Sequence, residues 1–231
     1  MCLPSENLDV ARFAQHGQSD AMPPGPMLAS VVHALTGDQG EGLAALSDDQ
    51  LLGVISATRR LESRVAWTQL AALAEFSARR AAPNDPAKSA RREFAADELA
   101  DELHLTAQSA AGHLAYAADL ANRLPATFAA LAAGTIHPVH ARIIEDETSI
   151  LSAADAAAAD QTLAEAAASR TFGQLRSHAH RLILKLDSEA AKKRKETARQ
   201  DAHVRRFRED SGNAGMVARE LPPDEVLASW Q

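Results

Sequence analysis

Residues 47–80 read SDDQLLGVISATRRLESRVAWTQLAALAEFSARR, and this stretch decides the fold. Ser47-Asp-Asp-Gln50 is a capping-box pattern, in which the Ser47 hydroxyl can accept from an orphan N–H of the first turn while Gln50 reaches back to the main chain. Leu51, Ile55, Thr58, Glu62, Val65, Gln69, Ala72 and Phe76 recur at spacings of four and three, and Leu52, Leu61, Leu70 and Leu73 widen the apolar face. No breaker occurs before Pro83, so about thirty residues can be helical, and Arg79-Arg80 suit the negative pole of the helix. The expectation is a long central helix with that face turned inward.

Working outward towards the N-terminus, residues 1–26 lack apolar periodicity and end in Met22-Pro-Pro-Gly-Pro26. That composition predicts a disordered arm to about Gly25. A short helix from Met27 to Leu35 should close at Gly37. On the C-terminal side, Pro83, Asn84, Asp85 and Pro86 mark a loop, and Phe94 to Leu103 reads as a helix that breaks at His104-Leu105. Thr106 then caps a helix to about Leu124. Pro125 and Pro138 sit where proline is tolerated, in first turns, and Gly134 ends the segment between them. Ser152 or Ala153 opens an alanine-rich helix with Asp155, Asp160 and Glu165 on its exposed side, and Thr171-Phe-Gly-Gln174 is a second capping box for a helix through Leu186. Asp187 or Ser188 caps a charged helix. Val204 to Arg208 and Met216 to Leu221 flank the turn-rich Glu209-Asp-Ser-Gly-Asn213 and predict a β-hairpin. Three regions result: the arm 1–26, a helical domain 27–203, and at 204–231 a hairpin with the start of a linker to a further C-terminal domain. The fold class is all-α, a multi-helix bundle with a long central helix, a helix-turn-helix-like pair and a small hairpin.

Composition narrows the function. The 231 residues carry a net charge of −7, a single cysteine (Cys2) and only 4% aromatics. One cysteine excludes an internal disulfide framework and a cysteine zinc site made by one chain. Alanine-dominated packing argues against a broad ligand pocket, so no small-molecule substrate and no cofactor is expected. No basic segment followed by an apolar run opens the chain, and no stretch approaches the roughly 20 apolar residues of a membrane span, so a cytoplasmic location is expected. Charge is asymmetric: residues 1–50 hold one basic and seven acidic residues, whereas residues 170–210 hold twelve basic and six acidic ones. Polyanion binding by the whole surface is therefore not expected, whereas binding by one basic patch remains open.

Two features could supply that patch. The first is Phe94 to Leu114, where Leu99 and Leu103 should face inward, Leu105 should plug the turn, and Ala110 and Leu114 should pack back. In the DNA-binding use of this pattern Thr106, Gln108, Ser109 and His113 would enter a major groove, with Arg91 and Arg92 on the backbone. Glutamine can read adenine there. The same apolar pattern also arises in any structural helical hairpin, and the second helix has no lysine or arginine before Arg123. The second feature is Lys192, Lys193, Arg194 and Lys195 with Arg199, followed by Arg205, Arg206 and Arg208, charges that would release counterions from a duplex. Its bland reading is a solvated helix face paired to Glu189, Glu196 and Asp201. His137 and His140 are spaced i,i+3 but straddle Pro138, and His178 and His180 point to different sides, so these histidines read as structural and no metal site is assigned. Neither a nucleophile elbow nor a glycine-rich phosphate loop occurs, and no catalytic residue is assigned.

The order of segments is itself diagnostic. Leu46-Ser-Asp-Asp-Gln-Leu51, Phe94-Ala-Ala-Asp-Glu-Leu-Ala-Asp-Glu-Leu-His-Leu-Thr106, Arg123-Leu-Pro-Ala-Thr127, Leu131-Ala-Ala-Gly-Thr-Ile136, His140-Ala-Arg-Ile-Ile144 and Gln174-Leu-Arg176 occur in sequence. With Asp187-Ser-Glu-Ala-Ala191, the basic segment and the hairpin, residues 45–230 resemble the uncharacterised helical domain that precedes an HNH nuclease domain in many actinobacterial proteins, including the mycobacterial thirteen-E-twelve repeat family. The resemblance implies a helical module of unknown activity coupled to a metal-dependent nuclease. It carries no catalytic residue over, because the histidine base and metal-binding residues of such a unit would lie beyond Gln231. The expected function is a non-catalytic DNA-binding or regulatory module, with DNA and a second copy of the chain as candidate partners. The alternatives are an interaction module dimerising through the Ser47–Arg80 helix and a vestigial fragment without activity.

Overall fold

A computed structural model describes residues 13, 19–80, 94–186, 196, 199–221 and 226. Among them are eight α-helices and one antiparallel hairpin: α1 (Pro26–Thr36), α2 (Asp48–Arg80), α3 (Ala95–Leu103), α4 (Ala107–Arg123), α5 (Pro125–Ala132), α6 (Pro138–Thr148), α7 (Ala153–Ala167), α8 (Phe172–Leu186), β1 (His203–Arg208) and β2 (Ala214–Arg219). The helix starts follow local chemistry. The Ser47 N–H donates to Gln50 Oε1 at 3.0 Å and the Gln50 N–H to Ser47 Oγ at 3.3 Å, and the same reciprocal pair joins Thr171 and Gln174. Thr106 and Ser152 each accept from the N–H three residues on, and prolines occupy the first turns of α1, α5 and α6. Gly37 and Gly134 end α1 and α5 with positive φ, the conformation glycine adopts at least cost. Of the expected charged helix, Glu196, Arg199 and Gln200 are helical, and Asp187 to Lys195 lie outside the described residues.

Burial falls into two clusters that share α2. Val54 and Ala57 in its first half pack with Leu28 and Val31 of α1 and with Phe13. Leu70 and Leu73 in its second half join Leu120, Leu131, Ile144, Leu163, Leu175 and Ile183 in the larger core built by α4 to α8. Each such leucine or isoleucine contributes roughly 1.5–3 kcal/mol through burial. Ala117, Ala141, Ala156, Ala159 and Ala179 are buried among them, and their small side chains let the helices approach closely.

The inward face of α2 is not the expected one. Ile55 and Val65 are 63% and 68% exposed, and Thr58, Glu62, Gln69 and Ala72 also face solvent. Apolar residues run consecutively through Leu51, Leu52, Val54 and Ile55, so two stripes one residue apart fit the same sequence. Packing against α1, α4 and α5 selects the Val54, Ala57, Leu70 and Leu73 stripe. Three further expectations are corrected. Leu103 is exposed, whereas Leu99 packs inward against the larger core as expected, and Ala95, Ala100 and Ala110 are buried residues of the α3–α4 pair. Asp160 is 1% exposed instead of solvent-facing. Within the arm expected to be disordered, Phe13 is fully buried, and Arg60 donates to the carbonyls of Asp20 (2.8 Å) and Ser19 (2.9 Å).

In the hairpin His203 pairs with Arg219 and Arg208 with Ala214. The Glu209 N–H donates to the Asn213 carbonyl and the Gly212 N–H to the Glu209 carbonyl, with Gly212 at φ +86°. This is a three-residue connection with glycine in the left-handed position. No residue of either strand is buried.

Candidate functional site

The α3–α4 pair has the geometry of a tight helical corner. His104 ends α3 in the left-handed conformation, and the Leu105 N–H donates to the Ala100 carbonyl at 2.9 Å. Thr106, Gln108, Ser109 and His113 are all exposed. The Thr106 hydroxyl is occupied in capping, at 3.2 Å from the Ser109 N–H. Ser109 and His113 border a groove with Gln69, Tyr116 and Arg142. Arg142 lies 4.6 Å over the Tyr116 ring and pairs with Asp146 at 3.2 Å, so its charge is largely committed. Burial pushes the Tyr116 phenol above its ordinary range. On α3, Asp97, Asp101 and Glu102 face solvent. Arg123 is turned inward, donating to the carbonyls of Thr148 (3.2 Å) and Leu151 (3.0 Å) and so closing the C-terminus of α6. Arg91, Arg92, Lys192, Lys193, Arg194 and Lys195 lie outside the described residues.

The hairpin concentrates positive charge. Its cross-strand register puts Val204, Arg206 and Arg208 on one face with Met216, and His203, Arg205 and Phe207 on the other with Val217 and Arg219. Arg199, Arg205, Arg206, Arg208 and Arg219 are exposed, and none pairs with a carboxylate of another described residue. Phe207 covers Gly215, where a Cβ would meet the ring. Both faces therefore mix arginine with exposed apolar side chains, and no strand residue is buried against the described helices. Sequence reading left Arg219 out, although its place two strands from the basic run follows once the register is known.

A third feature lies between α2, the start of α6 and the α7–α8 turn. His137 caps α6, its Nδ1 accepting from the Val139 N–H at 3.1 Å, and His140 Nδ1 accepts from the His137 N–H at 3.1 Å. His140 Nε2 stands 3.1 Å from the Arg170 carbonyl and must donate there, which assigns the proton to Nε2. Burial holds the His140 pKa below its ordinary value. The Phe172 ring lies 4.7 Å from that of His140 and 5.7 Å from that of His137. These contacts fit the structural reading of both histidines. Beside them opens a cleft of about 690 Å³ whose walls carry Arg59, Arg60 and Arg170. Alanine-rich packing disfavours a broad ligand pocket, and this cleft opens at the surface. It forms because helix ends meet here, where no flank-to-flank packing fills the gap. Sequence reading missed Arg59 and Arg170, whose meeting depends on a fold contact more than a hundred residues long.

Among the described residues, no group of three or more histidine, cysteine, aspartate or glutamate side chains is arranged to hold a metal ion, and no helix is long and apolar enough to cross a membrane. A family model described as Domain of unknown function (DUF222) matches residues 57–221, from the first half of α2 to the end of the hairpin. No curated protein and no solved structure matches the chain.

Proposed function

The chain belongs to the DUF222 family, and from that premise we propose that it is a non-catalytic DNA-holding module that works with an HNH-type nuclease domain. The observation that carries this reading is the hairpin, a two-stranded ribbon with four exposed arginines that no described carboxylate neutralises. A two-stranded ribbon is slim enough for a major groove, and arginine suits both phosphates and guanine edges. An isolated hairpin is marginal in water, so a surface that orders it on contact is a natural partner. Lys192 to Lys195 and Arg199 immediately precede it in sequence and extend the same charge. The start of α4 is the weaker contact, since Thr106 is used in capping, α3 beside it is acidic, and no lysine or arginine precedes Arg123 in the helix. The nuclease association rests on the order of sequence motifs described above.

The test is a fluorescence-anisotropy titration with duplex DNA at several salt concentrations, comparing the chain with an Arg205, Arg206, Arg208→Ala variant and a Lys192, Lys193, Arg194, Lys195→Ala variant. Binding that weakens with salt and with both sets of substitutions supports the reading. Absence of binding by the unsubstituted chain at low salt removes it.

A second reading is favoured by α2. Leu52, Ile55 and Val65 are each about two-thirds exposed, which suits a helix-on-helix contact with a second copy. Sedimentation across a concentration series, with Ile55→Asp and Val65→Asp beside the parent, distinguishes this from a monomer.

A further inference from the structure

We propose that the cleft between α2, the start of α6 and the α7–α8 turn binds the phosphate of a nucleotide-sized ligand. The site is distinct from the hairpin and does not depend on the DNA-holding reading. Outside the hairpin, whose arginines likewise pair with no described carboxylate, most arginines of the described helices have an acidic partner. Arg79, Arg80, Arg123, Arg142 and Arg176 each pair with a carboxylate. Arg59 and Arg170, brought to one cleft from α2 and from the turn before α8, pair with none of the described carboxylates, in a protein whose net charge is −7. The nearby acids are already engaged: Glu62 faces His137 at 3.4 Å, and Asp20 lies beside Arg60. Arg60 adds charge to the same wall, two of its nitrogens being held by neutral carbonyls and its buried Nε meeting no acceptor.

Shape and chemistry then narrow the ligand. A volume of about 690 Å³ fits a nucleotide, within the usual range for small-molecule sites. Two guanidinium groups favour an oxyanion able to accept from both, and phosphate does so with good geometry. Phe172, 40% exposed at the rim and braced against both histidines, offers a flat apolar surface for a base. The α8 helix starts at the same place; the Gln174 N–H is taken by the Thr171 hydroxyl, and a Cβ on Gly173 would meet nothing within 4 Å, so the space before Gly173 is open. His140 holds the Arg170 carbonyl and so fixes the turn that presents the Arg170 side chain.

The ligand phosphate could belong to a free nucleotide or to the 5′ end of a strand, and the experiment separates these sources. Calorimetric titrations of the full chain use AMP, adenosine, a 5′-phosphorylated oligothymidylate and its 5′-hydroxyl counterpart. Arg59→Ala, Arg170→Ala and Arg205→Ala variants follow with the ligand that binds. The expected result is that AMP or the 5′-phosphorylated strand binds, that its phosphate-free counterpart binds about tenfold more weakly or not at all, and that Arg59→Ala and Arg170→Ala each weaken binding by about tenfold. Arg205→Ala should bind as the parent does, so that loss of the hairpin reading leaves this one standing. The proposal is overturned if neither phosphorylated probe binds at millimolar concentration, or if binding survives both cleft substitutions unchanged. Matching thermal midpoints for the two cleft variants and the parent exclude unfolding as the cause of any loss.

Discussion

Asp160 and Thr127, 33 residues apart, are bound twice: Asp160 Oδ1 accepts from the Thr127 N–H at 3.0 Å and from the Thr127 hydroxyl at 2.6 Å. Its second oxygen accepts from the Ala126 N–H at 2.6 Å. A carboxylate from the middle of α7 thereby caps the start of α5, where Leu124 has no side-chain oxygen to offer. Fully buried and charge-assisted, the arrangement satisfies two orphan N–H groups and opposes the positive end of the helix.

Asp160→Ala leaves three donors unmet, two of them on buried Thr127, so its expected cost is about 3–5 kcal/mol. Asp160→Asn keeps one acceptor oxygen and should lose less, while Thr127→Val should lose about 1–2 kcal/mol. Urea unfolding monitored by circular dichroism measures all three. A loss below about 1 kcal/mol for Asp160→Ala would show that α5 does not need this cap.

Gly53 and Phe13 provide a second test. A methyl group on Gly53 would overlap Cβ and the ring of Phe13. Glycine to alanine inside a helix ordinarily gains about 1 kcal/mol. Expelling Phe13 loses roughly 2–3 kcal/mol of burial, so the second effect wins. Gly53→Ala should therefore destabilise by about 1–2 kcal/mol, and should cost nothing further in a Phe13→Gly background, which removes the Cβ as well as the ring. A double-mutant cycle by thermal unfolding reads this coupling, and additive losses would contradict the contact.

The pH dependence of stability has a defined sign at His140. Its folded pKa is lowered from about 6.5, mainly by burial. Protonation would also set an Nδ1–H against the His137 N–H, replacing an acceptor by a donor. Below the unfolded pKa the unfolded chain binds a proton that the folded one refuses, so the contribution is complete above about pH 6.5 and falls as pH drops towards the folded pKa. Glu145, whose pKa is raised by burial, works in the opposite sense, favouring the folded state at low pH and losing that advantage as pH rises through its folded pKa. Thermal midpoints from pH 7.5 to 5 should decline less steeply for His140→Gln than for the parent. Parallel curves would remove His140 as a source of the slope.

What the sequence disclosed follows the range of the interactions. Caps at Ser47, Thr106, Ser152 and Thr171, prolines in first turns and the glycine of the hairpin act within three or four residues, and their effects were readable. Asp160 was misread because high local helix propensity says nothing of α5, whose open N-terminus supplies the reason for its burial. The facing of α2 failed for a related reason: its apolar residues ring the helix, and only the neighbouring helices choose among them. The candidate sites divide similarly. The basic run was evident as a run, whereas Arg219 needed the strand register, and Arg59 with Arg170 needed the packing of α2 against the α7–α8 turn.

The hairpin arginines make a quantitative prediction about salt. Each arginine that neutralises a duplex phosphate releases about 0.9 counterion, so affinity falls on a log–log plot with a slope set by the number of such contacts. If Arg205, Arg206 and Arg208 all contact phosphates, their joint replacement by alanine lowers that slope by about 3, weakening binding similarly for different duplex sequences. A base-reading arginine behaves differently, since its loss weakens binding to one sequence far more than to others. The face partition separates the two roles, because Arg206 and Arg208 share one side of the ribbon while Arg205 and Arg219 share the other. One face can enter a groove while the other looks outward. Arg206→Ala with Arg208→Ala should then change the slope by about 2 and Arg205→Ala with Arg219→Ala by much less, or the reverse. Equal changes from both pairs would mean that the ribbon does not lie in a groove by one face.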